Sequence, residues 1–177
     1  MIFTETELPG AWIVEPERIE DERGFFARTF DAAEFCRRGL RDAFPECSVS
    51  YNARAATLRG MHFQAEPHAE AKLVRCTAGA IVDVVIDLRP GSPTHGRWTA
   101  VELSAQNRRA LYVPEGFAHG FQTLVDATEV FYQISTAYHA ASSRGVRWDD
   151  PAFGIRWPAA EARVISARDR AYPDYTP

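Results

Sequence analysis

The sequence has no apolar run approaching the roughly 18 residues that a membrane-spanning helix needs. No membrane partner is therefore expected. It has no basic excess either: 20 Lys and Arg stand against 24 Asp and Glu, a formal net charge of -4. A general nucleic-acid binder normally gathers a basic excess on one face, so none is expected here, although local basic groups can still hold a phosphate. Cysteine is scarce. Cys36, Cys47 and Cys76 are an odd count at unrelated spacings, with no CxxC pair and no signal-like apolar run after Met1. This predicts free thiols and a cytoplasmic protein. Internal repeats and low-complexity segments are missing as well. A chain of 177 residues is expected to form one domain, 1–177, with a substantial core.

What is present is a series of short strands. Eight or more alternating or β-branched segments recur at spacings near ten residues, divided by Gly, Pro and Ser turns. This is the sequence form of an all-β sandwich or jelly roll with a few short helices. Met1 to Val14 alternates loosely before Pro16 and reads as an edge strand that a dimer partner could extend. Glu20 to Phe30 sets a Gly turn after three charges and before an aromatic strand, with Arg23 at the lip of whatever Phe25, Phe26 and Arg28 line. Asp31 is the expected N-cap of a helix from Ala32 to Arg38 closed by Gly39. Another helical turn is expected over Leu40 to Phe44. Cys47 to Arg54 alternates so that Ser48, Ser50 and Asn52 share a wet face. A β-branched strand from Ile81 is interrupted by Asp83 and Asp87 and ends in a Pro/Gly/Ser loop; Trp98 to Leu103 and Ala110 to Val113 follow as strands. The tail, about 158–177, reads as coil that wraps the body and can deliver Asp169 to a distant histidine.

Two stretches are dense in chemistry. In Leu58 to Gln64, alternation puts Gly60, His62 and Gln64 on one face and Met61 and Phe63 on the other. After the loop Ala65 to Glu70, a second alternating run puts Lys72, Val74 and Cys76 together. His62 and Lys72 can thus face one cavity. That pairing suggests carbonyl chemistry, because a neutral imidazole can remove a proton beside a ketone while an ammonium stabilises the enolate oxygen. Pro114 to Leu124 sets His119 between glycines, which suggests close backbone approach at a cavity wall. Glu129 to Ser135 is a strand whose Tyr132 shares a face with Val130 and Ile134. Taken singly, each has a plainer reading: a strand histidine and a buried tyrosine are usually structural, and a lone Lys72 or Arg23 is usually a solvated charge.

The motifs DERGFF, TLRGMHFQ, KLVRC, GSPTHGRW, PEGFAHGF, the Tyr132 strand and WDDPAFGIRWP occur together and in this order. From about Gly10 to Pro173, the chain thereby resembles the dTDP-4-dehydrorhamnose 3,5-epimerase family of cupins. The resemblance implies a cupin jelly roll, homodimeric, free of metal and cofactor. It implies a nucleotide-diphosphate sugar as substrate, with inversion of C3 and C5 of a 4-keto-6-deoxyhexose in dTDP-rhamnose biosynthesis. It also implies roles. His62 matches the base and Asp169 the acid that fixes its tautomer. Lys72 matches the lysine near the C4 carbonyl, and Tyr132 the acid acting on the opposite ring face. Arg23 and Arg59 match groups near the diphosphate, where a planar fork suits paired oxygens. His119 lines the same cavity, Phe26 and Tyr138 flank the base, and Arg28, Ser48, Ser50 and Gln64 complete the expected binding set.

Two positions depart from the family pattern. Arg28 stands where a glutamate is usual, and an arginine cannot accept the ring N–H of thymine. Ser48 and Ser50 stand where Gln and Asn are usual. These departures keep a second reading open, a single-centre epimerase acting on a CDP- or GDP-linked 4-keto sugar. A readings of another class is a non-catalytic or metal-binding cupin using His62, Glu70 and His119, against which Gln64 and Lys72 are a poor ligand and a repelling cation.

Overall fold

The computed structural model describes residues 1–176, and strands dominate it. One sheet holds β1 (Ile2–Glu5), β2 (Trp12–Glu15), β5 (Glu46–Asn52), β7 (Lys72–Ala78), β10 (Ala110–Val113) and β12 (Thr128–Ile134) in the order β1-β2-β10-β7-β12-β5. The other runs β13-β6-β11-β8-β9, built from β6 (Thr57–Gln64), β8 (Ala80–Asp87), β9 (Trp98–Ser104), β11 (Phe117–Thr123) and β13 (Ser143–Gly145). A two-residue strand, β14 (Val164–Ile165), adds to β6 in parallel. The hairpin of β3 (Arg18–Asp21) and β4 (Gly24–Ala27) stands apart from both sheets. The expected jelly-roll sandwich is the architecture found.

Alternation decides which side chains enter the middle. On β8, Ile81 and Val85 face the inter-sheet core with Val74, Leu111, Phe121 and Val130, while Val84 and Ile86 face outward. Burying such a side chain stabilises the fold by roughly 1.5–3 kcal/mol. The outer faces are covered too. Phe35 from α1 (Ala32–Cys36) packs on Leu73 and Tyr112 of the first sheet, and Phe153 of the segment following β13 packs with Met61, Val84 and Ile86 of the second.

Several expectations change in detail. The opening edge strand is two strands joined by a turn in which Thr6 N–H donates to Ala11 C=O. Asp31 caps α1 by accepting from Glu34 N–H, and α1 ends at Cys36, two residues before the expected Arg38. Leu40 to Phe44 is not helical. The Arg41 N–H donates to the Tyr112 hydroxyl, and Leu40 and Phe44 are drawn into the cluster around Phe35. The tail is more than coil: it adds β14 and α2 (Ala167–Arg170), while β13 lies in the segment before it.

The largest correction concerns β6. His119 of β11 lies opposite His62 and Phe121 opposite Arg59, so two steps along β11 match three along β6. One extra residue makes a bulge, and the alternation changes phase across it. Arg59 therefore shares the cavity face with His62, a pair that simple alternation separates. Gly60 sits in this bulge at φ 140°, and a Cβ there would lie 2.6 Å from Gly120 Cα. Only glycine fits both the backbone and the gap.

Candidate active site

A cavity of about 630 Å³ opens between the two sheets. β6 contributes Arg59 and His62, β11 contributes His119, and the opposite sheet supplies Ser50, Lys72 and Tyr132. The tail closes one side with Ser166, Arg168 and Asp169.

Asp169 reaches His62 through local order in the tail. β14 pairs with Thr57 and Leu58, and the Ser166 hydroxyl accepts from Asp169 N–H as the N-cap of α2. The carboxylate, almost wholly buried, meets His62 Nε2 at 2.8 Å through Oδ1 and accepts from Gly60 N–H at 3.2 Å through Oδ2. Burial pushes this carboxyl up, but the His62 ring, the Gly60 amide and the Ser166 hydroxyl outweigh burial and hold it below its ordinary value. An ionised carboxylate only accepts, so His62 Nε2 carries the hydrogen and Nδ1 is the basic nitrogen of the neutral ring.

Tyr132 extends from β12 on the far side of the cavity, sharing its face with Val130 and Ile134. Burial raises its phenol well above the ordinary tyrosine range, the Asp83 charge adds to this, and Arg59 and Ser50 pull partly back. Lys72 on β7 is paired with Glu70 at 2.8 Å, both side chains about 10% exposed. It is the only lysine in the chain, the other nineteen of the 20 Lys and Arg being arginine. Arg59 is held by Asn52, whose Oδ1 accepts from Nε at 2.8 Å.

Six of the expected residues lie elsewhere in this chain. Arg23 is at the tip of the β3–β4 hairpin, paired with Asp21 and exposed. Phe26 is 69% exposed on the same hairpin, and Arg28 is paired with Asp31 at 2.6 Å. Ser48 is exposed on β5 and, unlike Ser50, does not line the cavity. Gln64 is buried and spent on structure: its amide donates to His68 and Ala137 carbonyls, and its oxygen accepts from His139 N–H. Tyr138 is exposed, close to Arg168.

Sequence reasoning missed Arg168, which lines the cavity beside Asp169 and donates to Ser143 Oγ at 2.9 Å. Its adjacency to Asp169 was the available signal. It also missed the partners of Lys72 and His119, namely Glu70 and Asp83; His119 Nε2 lies 2.7 Å from Asp83 Oδ1. Among the described residues, no group of three or more His, Cys, Asp or Glu side chains is arranged to hold a metal ion. His62, Glu70 and His119 are each engaged by another protein group.

This geometry has close counterparts. A dTDP-4-dehydrorhamnose 3,5-epimerase of Methanothermobacter thermautotrophicus is 46% identical over 170 residues, covering 95% of this chain and 91% of the relative. The crystal structure of the dTDP-4-dehydrorhamnose 3,5-epimerase of Bacillus anthracis, with TDP and PPi bound, superposes with a TM-score of 0.94 at 41% identity. That match covers 98% of this chain and 99% of the other. ChmJ of Streptomyces bikiniensis, a 3'-monoepimerase in complex with dTDP-quinovose, superposes at 0.88 with 34% identity, covering 96% and 85%. The sequence also matches the family profile of dTDP-4-dehydrorhamnose 3,5-epimerase over residues 5–176, and to that family the chain belongs.

Proposed function

We propose that this protein inverts C3 and C5 of dTDP-4-dehydro-6-deoxy-D-glucose, giving dTDP-4-dehydro-L-rhamnose. The observation that carries the reading is a base and an acid on opposite walls of one cavity. His62, tied to Asp169, belongs to one sheet, and Tyr132 belongs to the other. A sugar ring lying between the sheets has one of them on each face, which inversion requires.

His62 Nδ1 takes the proton from carbon, and Asp169 stabilises the imidazolium that forms. Both C3 and C5 adjoin the C4 ketone, so one enolate-stabilising group serves both. Lys72 fills that role with the ammonium hydrogens that Glu70 leaves free. Tyr132, kept protonated by its surroundings, delivers a proton from the other face. Arg59 and Arg168 are the cations at the cavity wall suited to the diphosphate. The nucleotide-binding roles expected of Arg23, Phe26 and Arg28 require a second copy of the chain. The exposed apolar groups Ile19 and Phe26 of the hairpin and Val49 and Tyr51 of β5 support such a dimer.

The test is proton NMR of dTDP-4-dehydro-6-deoxy-D-glucose with the enzyme in D₂O. Loss of both the C3 and C5 proton signals with conversion to the L-rhamno product is the expected result. Loss of one alone makes the protein a single-centre epimerase, the activity named for the Streptomyces bikiniensis neighbour. Loss of neither refutes the assignment.

A further inference from the structure

The cavity holds a second histidine whose anchoring the mechanism above leaves unused. His119 is the register partner of His62 across β11 and β6, and its Nε2 is held by Asp83 Oδ1 at 2.7 Å. Asp83 lies on the inner face of β8 between Ile81 and Val85, with no exposed surface. Its other oxygen, Oδ2, is buried without a hydrogen-bond partner among the described residues. A half-satisfied carboxylate is costly to bury, and a strand flanked by β-branched residues has no packing need for one. The ring of His119 stands edge-on to Tyr132, with centroids 6.1 Å apart and planes at 82°.

We propose that Asp83 is the positioning residue for the acid side of the site, fixing through Oδ1 the His119 ring that stands edge-on to Tyr132. The inference rests on the epimerase reading and assigns that reading a second carboxylate. Asp169 serves the base, and Asp83 serves the acid. Titratable or charged groups around the phenol come from several strands: Asp83 from β8, Arg59 and His62 from β6, His119 from β11, and Lys72 and Cys76 from β7. After burial, Asp83 is the largest influence raising Tyr132, while Arg59 opposes it. Burial, with Asp83 among the charges adding to it, also drives the neighbouring Cys76 thiol up to about 11. Burial by itself keeps the phenol protonated, so what Asp83 brings to the acid side is the fixed His119 ring.

Asp83→Asn preserves shape and removes the charge. The His119 ring, followed by nitrogen NMR against a matched His119→Asn protein, is expected to hold its hydrogen on Nε2 in the parent and to lose that single tautomer in Asp83→Asn. On the 4-keto sugar, kcat is expected to fall on the order of 10²-fold with KM little changed. A structural role alone lowers the melting temperature and leaves the His119 tautomer as it was, and that result overturns the proposal. So does a kcat within about threefold of the parent. If Asp83→Asn does not fold, His119→Asn decides: kcat should fall by a similar factor with KM little changed, and a kcat within about threefold of the parent overturns the proposal. If the parent enzyme exchanges neither sugar proton, the functional reading has failed, whereas the His119 tautomer still judges Asp83 by itself.

Discussion

Asp169→Asn is expected to damage the enzyme more than Asp169→Ala. Both carboxylate oxygens are committed, Oδ1 to His62 Nε2 at 2.8 Å and Oδ2 to the Gly60 N–H at 3.2 Å. The Gly60 amide is a fixed donor, so an asparagine keeps its oxygen there and turns its NH₂ toward His62. Nε2 must then accept, and the hydrogen of the neutral ring moves to Nδ1. The nitrogen assigned to the substrate now carries a hydrogen and cannot take one from carbon. General base catalysis is worth about 10²–10⁴-fold, and a wrongly held tautomer costs on the order of 10⁴-fold in a serine-protease triad. We therefore expect exchange at both carbons to slow about 10³–10⁴-fold in Asp169→Asn. Alanine leaves Nε2 free and both tautomers populated, so its loss should be nearer 10²-fold. KM should change little in either variant. The assay is deuterium uptake at C3 and C5 under saturating substrate, with circular dichroism to check folding. An asparagine variant more active than the alanine variant, or within about tenfold of the parent, refutes the tautomer argument.

Three further outcomes are expected. Tyr132→Phe should still exchange the C3 and C5 protons through His62 but lose inversion by about 10²–10⁴-fold, read from the product's ring couplings; inversion at the parental rate removes Tyr132 as the acid. Gly60→Ala should cost about 2–4 kcal/mol from overpacking against Gly120 and a positive φ, seen as a melting temperature roughly 5–15 °C lower; an unchanged melting temperature contradicts the bulge geometry. Asp169 and Asp87 are both held below their ordinary values in the fold, Asp87 against burial by Arg89, Ser92 and Thr94. Their stabilisation is thus complete above the unfolded value near about 4 and is lost as pH falls through the lower folded values. Asp87→Asn should lower the melting temperature at neutral pH and flatten its decline on acidification; an unaltered acid slope speaks against this network.

Strand positions were legible because period-two alternation and Gly/Pro turns report the sheets directly, and the cap at Asp31 followed from its side chain. The bulge in β6 was not legible, because an extra residue leaves no mark on composition and only the pairing with β11 exposes it. β13 and β14 are too short to carry a period. Of the site, His62, Lys72, His119 and Tyr132 were accessible as polar groups at strand positions beside glycine turns or apolar neighbours. Gln64 misled for a physical reason: its face was read correctly, but its hydrogen bonds go to the segments around His68 and His139. Asp83 had a visible signal, an acidic residue interrupting a β-branched strand. Its partner lay 36 residues away, and proximity of that kind belongs to topology.

The choice of lysine at position 72 leads to the last prediction. The chain uses arginine at every other cationic position, so the lysine here stands out from the habit of its composition. An ammonium is a compact charge with three donors: Glu70 takes one at 2.8 Å, and two remain for the C4 oxygen. A guanidinium offers a planar fork that a carboxylate engages bidentately, and it is longer, so in this nearly closed pair it would turn its donors toward Glu70. Lys72→Arg should therefore keep the charge and lose about 10²–10³-fold in kcat, as when one donor to a developing oxyanion is removed. Because no second lysine competes, amine acetylation offers an independent check by peptide mass mapping, which separates Lys72 from the Met1 α-amine: inactivation should track modification of Lys72, and bound substrate should slow both. If Lys72→Arg retains activity within about tenfold, charge alone suffices and the positional argument fails.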